Sequence, residues 1–145
     1  MRLYDQSFIS LEEIVDFNSR SQHRQRVGKS AERVAVDYYS AFGHEILATN
    51  YHVGAYELDI IARLAGVLVV VEVRHRSTRS WQSAFSSIGR HKRQSLRNAL
   101  SLLWQQVSDD HSIERVCLDV AAVYFDRSTV SIEIAKHCVF LYKCF

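Results

Sequence analysis

Two stretches of the chain carry apolar residues at the three- and four-residue spacing of a helix that buries one face. The first spans Val27–Phe42 and is followed by Gly43, a residue type that commonly ends helices in the left-handed conformation. The second spans Ala84–Val107. We expect both helices to pack on the rest of the domain through these faces.

Strand-like patterns fill most of the remaining chain, because short β-branched and apolar runs are separated by turn residues. The predicted strands are His44–Asn50, Tyr56–Leu64, Val67–Arg76, Arg115–Phe125 and Val130–Val139. Ala65 and Gly66 form a tight turn between the second and third strands, which should pair as a hairpin at the centre of a sheet. The order α-β-β-β-α-β-β predicts an α/β domain.

Residues 1–22 are interpreted as an appendage, and residues 23–145 as a single domain. Ser10 and Glu13 have the spacing of a capping box, which predicts a short helix over Leu11–Phe17. The length of 145 residues suits one hydrophobic core, and the absence of proline leaves no proline-rich linker that would divide it.

The sequence argues against a membrane span and against secretion. The longest apolar run, Val67–Val71, ends at Glu72, whereas a membrane helix needs about 20 apolar residues. The segment Met1–Asp16 holds four carboxylates and no apolar signal core. Three cysteines without Cys-x-x-Cys spacing are typical of reduced thiols. We therefore expect a cytoplasmic protein.

Positive charge is concentrated in two parts of a chain whose formal net charge is only +2. No carboxylate occurs between Val73 and Ser108, and the basic run from Arg20 to Arg33 contains a single carboxylate, Glu32. Such segregation attracts polyanions, so it predicts a nucleic-acid surface, with solvated helix faces as the alternative. The candidate contact residues are Arg24, Arg26, Lys29, Arg76, Arg79, Arg90, Arg93 and Arg97.

Three carboxylates lie on the predicted hairpin. Glu57 and Asp59 are two residues apart and so share one face of the second strand, and the ladder can bring Asp59 close to Glu72 on the third. Two buried carboxylates are costly unless cations neutralise them, and hard oxygen ligands suit Mg²⁺ or Mn²⁺. The alternative is a pair of edge-exposed carboxylates that form salt bridges with Arg74 or Arg76.

The segments YELDIIA at Tyr56–Ala62 and VVEVR at Val70–Arg74, with Glu32 in the first helix, carry a resemblance to a known family. They resemble the YraN-like bacterial proteins of the PD-(D/E)xK restriction-endonuclease-like superfamily, which includes Holliday-junction resolvases. The resemblance extends from Arg26 to Val139. It implies a restriction-endonuclease-like mixed central sheet flanked by helices, with an α-β-β-β-α-β core.

The resemblance also assigns roles to single residues. Asp59 and Glu72 match the superfamily's metal-binding carboxylates, and Glu32 and Glu57 match supporting carboxylates near them. Arg74 stands where the superfamily has its catalytic lysine. Because a guanidinium stays charged, it is a poor base, although it can clamp a phosphate.

Lys92 is a candidate to replace that lysine. It falls between Ile88 and Leu96 in the four-residue phase of the inward face of the second helix. A cation at such a position usually extends to solvent, but here the sheet opposite carries the carboxylates. A displaced catalytic lysine and a solvated lysine both fit the pattern.

These observations leave three functions open. The resemblance implies a Mg²⁺- or Mn²⁺-dependent nuclease, with DNA favoured over RNA as substrate. The arginine at position 74 favours a nuclease-fold protein that binds nucleic acid without cutting it. The basic segments also suit a module that binds an acidic protein. A homodimer is compatible with all three.

Overall fold

The computed structural model describes residues 20–76 and 84–142. Its elements are α1 (Arg20–Ala41), β1 (Glu45–Val53), β2 (Tyr56–Leu64), β3 (Val67–Arg76), α2 (Arg90–Val107), β4 (Arg115–Asp126) and β5 (Thr129–Tyr142). The predicted appendage and its short helix lie outside the described residues, except for residues 20–22, which begin α1. The element order from α1 onward is the predicted one.

The strands form one five-stranded sheet in the order β1-β2-β3-β4-β5. All neighbours are antiparallel except β3 and β4, which run parallel from the Val67↔Arg115 pair to the Arg76↔Tyr124 pair. Parallel neighbours need a crossover connection, and α2 lies within it. The result is the predicted mixed α/β sheet flanked by helices, consistent with a restriction-endonuclease-like fold.

The central strand β3 is buried on both faces. Leu68 and Val70 belong to the core on the side of α2, whereas Val69 and Val71 pack with α1 on the other side. Because neither face meets water, the strand is apolar throughout Val67–Val71 rather than alternating.

Both helices begin at different residues from those predicted. α1 starts at Arg20 rather than Val27, because its polar first turns are rich in good helix formers and need no apolar face. α2 starts at Arg90 rather than Ala84, since Gly89 has an extended backbone with φ −65° and ψ 161°. The preceding residues form a turn in which Ile88 N–H donates to the Phe85 carbonyl at 3.1 Å.

A buried polar pair joins α1 to β4. The Tyr39 hydroxyl donates to Asp119 Oδ2 at 2.6 Å, and the two residues are 1% and 2% exposed. Burial, and then the hydrogen bond to Asp119, raise the pKa of Tyr39, so the phenol stays protonated and donates. This bond positions α1 on the sheet.

Neither helix in the described ranges is long and apolar enough to cross a bilayer.

Candidate metal centre

The site lies where β2 and β3 stop pairing along their length. The ladder runs from Leu64↔Val67 to Ile60↔Val71. At the next position of β2, a side chain replaces the backbone as the hydrogen-bond acceptor: Asp59 Oδ2 accepts a hydrogen bond from the Val73 N–H at 2.8 Å. A carboxylate is thereby inserted between two interior strands.

Glu72 follows on β3 and is 4% exposed. Its Oε1 lies 3.3 Å from Lys92 Nζ, which reaches it from the first turn of α2. Its Oε2 is buried and has no hydrogen-bond donor among the described residues. Burial, and next the charge of Asp59, raise the pKa of Glu72 to about 7, while Lys92 acts in the opposite direction.

Asp59 experiences the same environment. Burial raises its pKa, and the Val73 N–H and the charge of Lys92 oppose that effect. The pair therefore consists of two desolvated carboxylates with one nearby lysine and one oxygen that lacks a donor. A bound proton or a cation would relieve this arrangement.

A divalent cation fits these donors. Mg²⁺ is commonly held by one or two carboxylates and keeps several of its waters, so Asp59 and Glu72 would suffice to hold it. Among the described residues, no group of three or more His, Cys, Asp or Glu side chains is arranged for a metal ion. The protein would therefore supply few ligands, and water or substrate oxygens would complete the shell.

Two further carboxylates lie beside this pair. Glu32 comes from α1 and Glu57 from β2, and Asn50 Nδ2 is 3.4 Å from Glu32 Oε2 and 3.3 Å from Glu57 Oε1. His52 Nε2 lies 3.5 Å from the other oxygen of Glu57. Burial, and then the charge of Asp59, raise the pKa of Glu32. The four carboxylates predicted from the sequence thus form one neighbourhood.

Asn50 was not predicted as a site residue. Its backbone φ is +47°, which is rare for a residue within a strand and best tolerated by glycine and asparagine. The signal in the sequence was an asparagine at the end of the predicted first strand, but the two carboxylates that it contacts come from different elements.

The alternative of edge-exposed carboxylates does not hold for Glu72. It is buried on an interior strand, and its ion pair is with Lys92. Arg74, two residues further along the same face of β3, has a charge that lowers the pKa of Glu72. The Arg76 guanidinium instead donates to the Ser87 carbonyl at 3.3 Å.

The predicted basic residues fall into three groups. Lys29, Arg90 and Arg97 are exposed. Arg93, like Arg76, holds the turn before α2: its guanidinium donates to the Ile88 carbonyl at 2.9 Å and lies 4.4 Å from the Phe85 ring centroid. Arg79 and the side chains of Arg24 and Arg26 lie outside the described residues.

The fold and the site together define the class of this protein: a mixed α/β domain with a pair of carboxylates between two interior strands of its sheet. The profile of the family described as "Uncharacterised protein family UPF0102" matches residues 31–123. A UPF0102 protein of Sorangium cellulosum (strain So ce56) is 37% identical over 115 residues, which cover 78% of this chain and 80% of the relative.

Further relatives have the same family name. A UPF0102 protein of Flavobacterium psychrophilum is 34% identical over 74% of this chain and 87% of its own length. One from Koribacter versatilis is 27% identical over 97% of this chain and 98% of its own length. The chain belongs to the UPF0102 family, and the predicted resemblance to YraN-like proteins is confirmed.

Proposed function

We propose that this chain is a metal-dependent nuclease of the PD-(D/E)xK type, acting on DNA with Mg²⁺ or Mn²⁺. One observation carries the proposal: Asp59 and Glu72 form a buried carboxylate pair between two diverging interior strands, and Glu72 Oε2 has no donor among the described residues. Buried carboxylates of this kind are rarely retained without a charge that they bind.

Each residue has a part in this proposal. Asp59 and Glu72 hold the cation. When bound, a divalent cation stabilises negative charge developing on a scissile phosphate and activates the attacking water. Arg90 and Arg97 are exposed on α2, the helix that carries Lys92, and bind the flanking phosphates.

Lys92 takes the part of the superfamily's lysine. Its ammonium group lies 3.3 Å from Glu72 Oε1 and its side chain is 42% exposed, so it reaches both the carboxylate pair and solvent, where a substrate phosphate would lie. Arg74 stays charged and serves as a phosphate clamp rather than as a base.

A second candidate function is binding of nucleic acid without cleavage. The observation that favours it is Arg74. This residue lies two positions after Glu72 on β3, and its guanidinium is a poor proton acceptor. The exposed cations at positions 29, 90 and 97 would serve binding equally well.

A cleavage assay separates the two functions. Wild type, Asp59→Ala and Arg74→Lys are incubated with linear duplex, branched and single-stranded DNA, and with RNA, in Mg²⁺ or Mn²⁺. A nuclease cuts at least one substrate, loses activity in Asp59→Ala, and retains nucleic-acid affinity in that variant because a negative charge has been removed. Equal cutting by Asp59→Ala would show that the activity resides elsewhere.

An inert wild type that binds nucleic acid, beside an active Arg74→Lys, would establish the second function, because the scaffold would then lack only its lysine. A salt titration of binding supplies the control. The logarithm of the affinity falls linearly with the logarithm of the salt concentration, and each phosphate contact adds about −0.9 to the slope. A flat titration would argue for an acidic protein partner instead.

A further inference from the structure

Asn50 occupies a strained position opposite the candidate metal centre. Its neighbours pair in register with β2, as Thr49↔Ile60 and Tyr51↔Leu58, so Asn50 lies across from Asp59. Its φ of +47° lies in the left-handed region, which residues other than glycine and asparagine rarely adopt. Such a conformation persists inside a strand when the surrounding structure requires it.

In this conformation the Asn50 side chain contacts two carboxylates of the site. The amide of Asn50 has two N–H donors, and its Nδ2 lies 3.4 Å from Glu32 Oε2 and 3.3 Å from Glu57 Oε1. One neutral group thus contacts carboxylates from α1 and from β2. Because the amide has no net charge, it can hold both anions without competing with a cation as lysine or arginine would.

We propose that Asn50 is a positioning residue, whose side-chain amide holds Glu32 and Glu57 beside the Asp59–Glu72 pair and so prepares the site for a divalent cation. This inference rests on the proposed function. Mutating the partners that orient the groups around a metal commonly lowers the metal affinity by about 10- to 100-fold.

The test measures Mn²⁺ affinity by calorimetry in wild type and Asn50→Gly. Glycine accepts the positive φ, so the variant removes the amide without straining the backbone. Ala65→Gly is the matched control, since Ala65 has a φ of +52° in the β2–β3 turn, at the opposite end of the ladder from the carboxylates. We expect Mn²⁺ binding to weaken about tenfold in Asn50→Gly and to stay unchanged in the control.

A double variant tests whether Asn50 acts on Mn²⁺ binding through Glu32 and Glu57. In a Glu32→Ala/Glu57→Ala protein, adding Asn50→Gly should weaken Mn²⁺ binding no further, because the side chains that accept hydrogen bonds from the Asn50 amide are gone. A further tenfold loss there would overturn the inference, since Asn50 would then act by another path.

The outcomes also separate this inference from the proposed function. Equal or tighter Mn²⁺ binding by Asn50→Gly, with wild type still binding, overturns the positioning role alone. Wild type that binds neither Mn²⁺ nor Mg²⁺ overturns the proposed function and the positioning role together. Urea unfolding of each variant, expected to match wild type or exceed it, excludes a mere loss of fold.

Discussion

Replacing Glu72 by glutamine should stabilise the metal-free protein at pH 8. Glu72 is 4% exposed, and at that pH its ionised carboxylate faces Asp59 while Oε2 lacks a donor among the described residues. Glutamine has nearly the same shape, carries no charge and brings an amide donor to the same place. The substitution therefore removes a repulsion between charges without opening a cavity.

The magnitude follows from the pKa of Glu72. A rise from 4.5 in the unfolded chain to about 7 in the folded protein corresponds to a penalty of about 3 kcal/mol once the pH exceeds both values. The folded state binds the proton more tightly, so stability is fully present below about pH 4.5 and is lost as the pH rises through 7. The pKa of about 7 already includes the opposing effect of Lys92, so the expected gain from removing the charge is at most about 3 kcal/mol.

The assay is urea unfolding of wild type and Glu72→Gln between pH 4.5 and pH 8 in the presence of a chelator. Other groups titrate in the same range, so the informative quantity is the difference in unfolding free energy between the two proteins at each pH. Glu57→Gln is the matched control, because its side chain is 49% exposed and should change stability by no more than about 0.5 kcal/mol.

A difference that stays constant from pH 4.5 to pH 8 would refute the reasoning, since burial would then not have raised the pKa of Glu72. Glu72→Gln that is less stable than wild type at pH 8 would refute it as well, because the ion pair with Lys92 would then outweigh desolvation.

Other expectations follow from the same structure. Mn²⁺ should raise the melting temperature of wild type, by mass action, and should leave that of Glu72→Gln unchanged in a thermal scan. Tyr39→Phe should lower the urea unfolding free energy by about 1–3 kcal/mol, because Asp119 loses a buried donor, without altering Mn²⁺ affinity in calorimetry. Arg90→Glu should weaken DNA binding, measured by fluorescence anisotropy, without changing stability. Arg93→Ala should lower the urea unfolding free energy, because the turn before α2 loses the hydrogen bonds of that guanidinium. Equal stability of Arg93→Ala and wild type would contradict this structural role.

Local pattern was a reliable guide to the sheet. The two-residue period and the short turn at Ala65–Gly66 define how β2 meets β3, and this register alone brings Asp59 towards Glu72. Val69 and Val71 lie on one buried face of β3, because side chains two residues apart on a strand share a face.

The helix starts were less predictable from the same information. Ala84 and Ile88 are buried as their apolar spacing suggested, but they lie in a turn before α2. Burial at three- and four-residue spacing is satisfied by a turn that the Arg93 guanidinium holds from the following helix. Periodicity reports which residues are inside, and it does not report which backbone conformation takes them there.

By itself, the sequence predicted the element order and the α/β class from spacing within a few residues, and its resemblance to a known family supplied the mixed sheet, the family and the four acidic residues of the candidate site. Only the tertiary structure decided that Glu72 is buried with an oxygen lacking a donor in the described ranges, that Lys92 reaches it, and that Asn50 contacts Glu32 and Glu57. Two of these contacts join a helix to a strand, and the contact between Asn50 and Glu57 joins β1 to β2. Desolvation and contact between residues distant in sequence depend on packing in three dimensions, which no local pattern encodes.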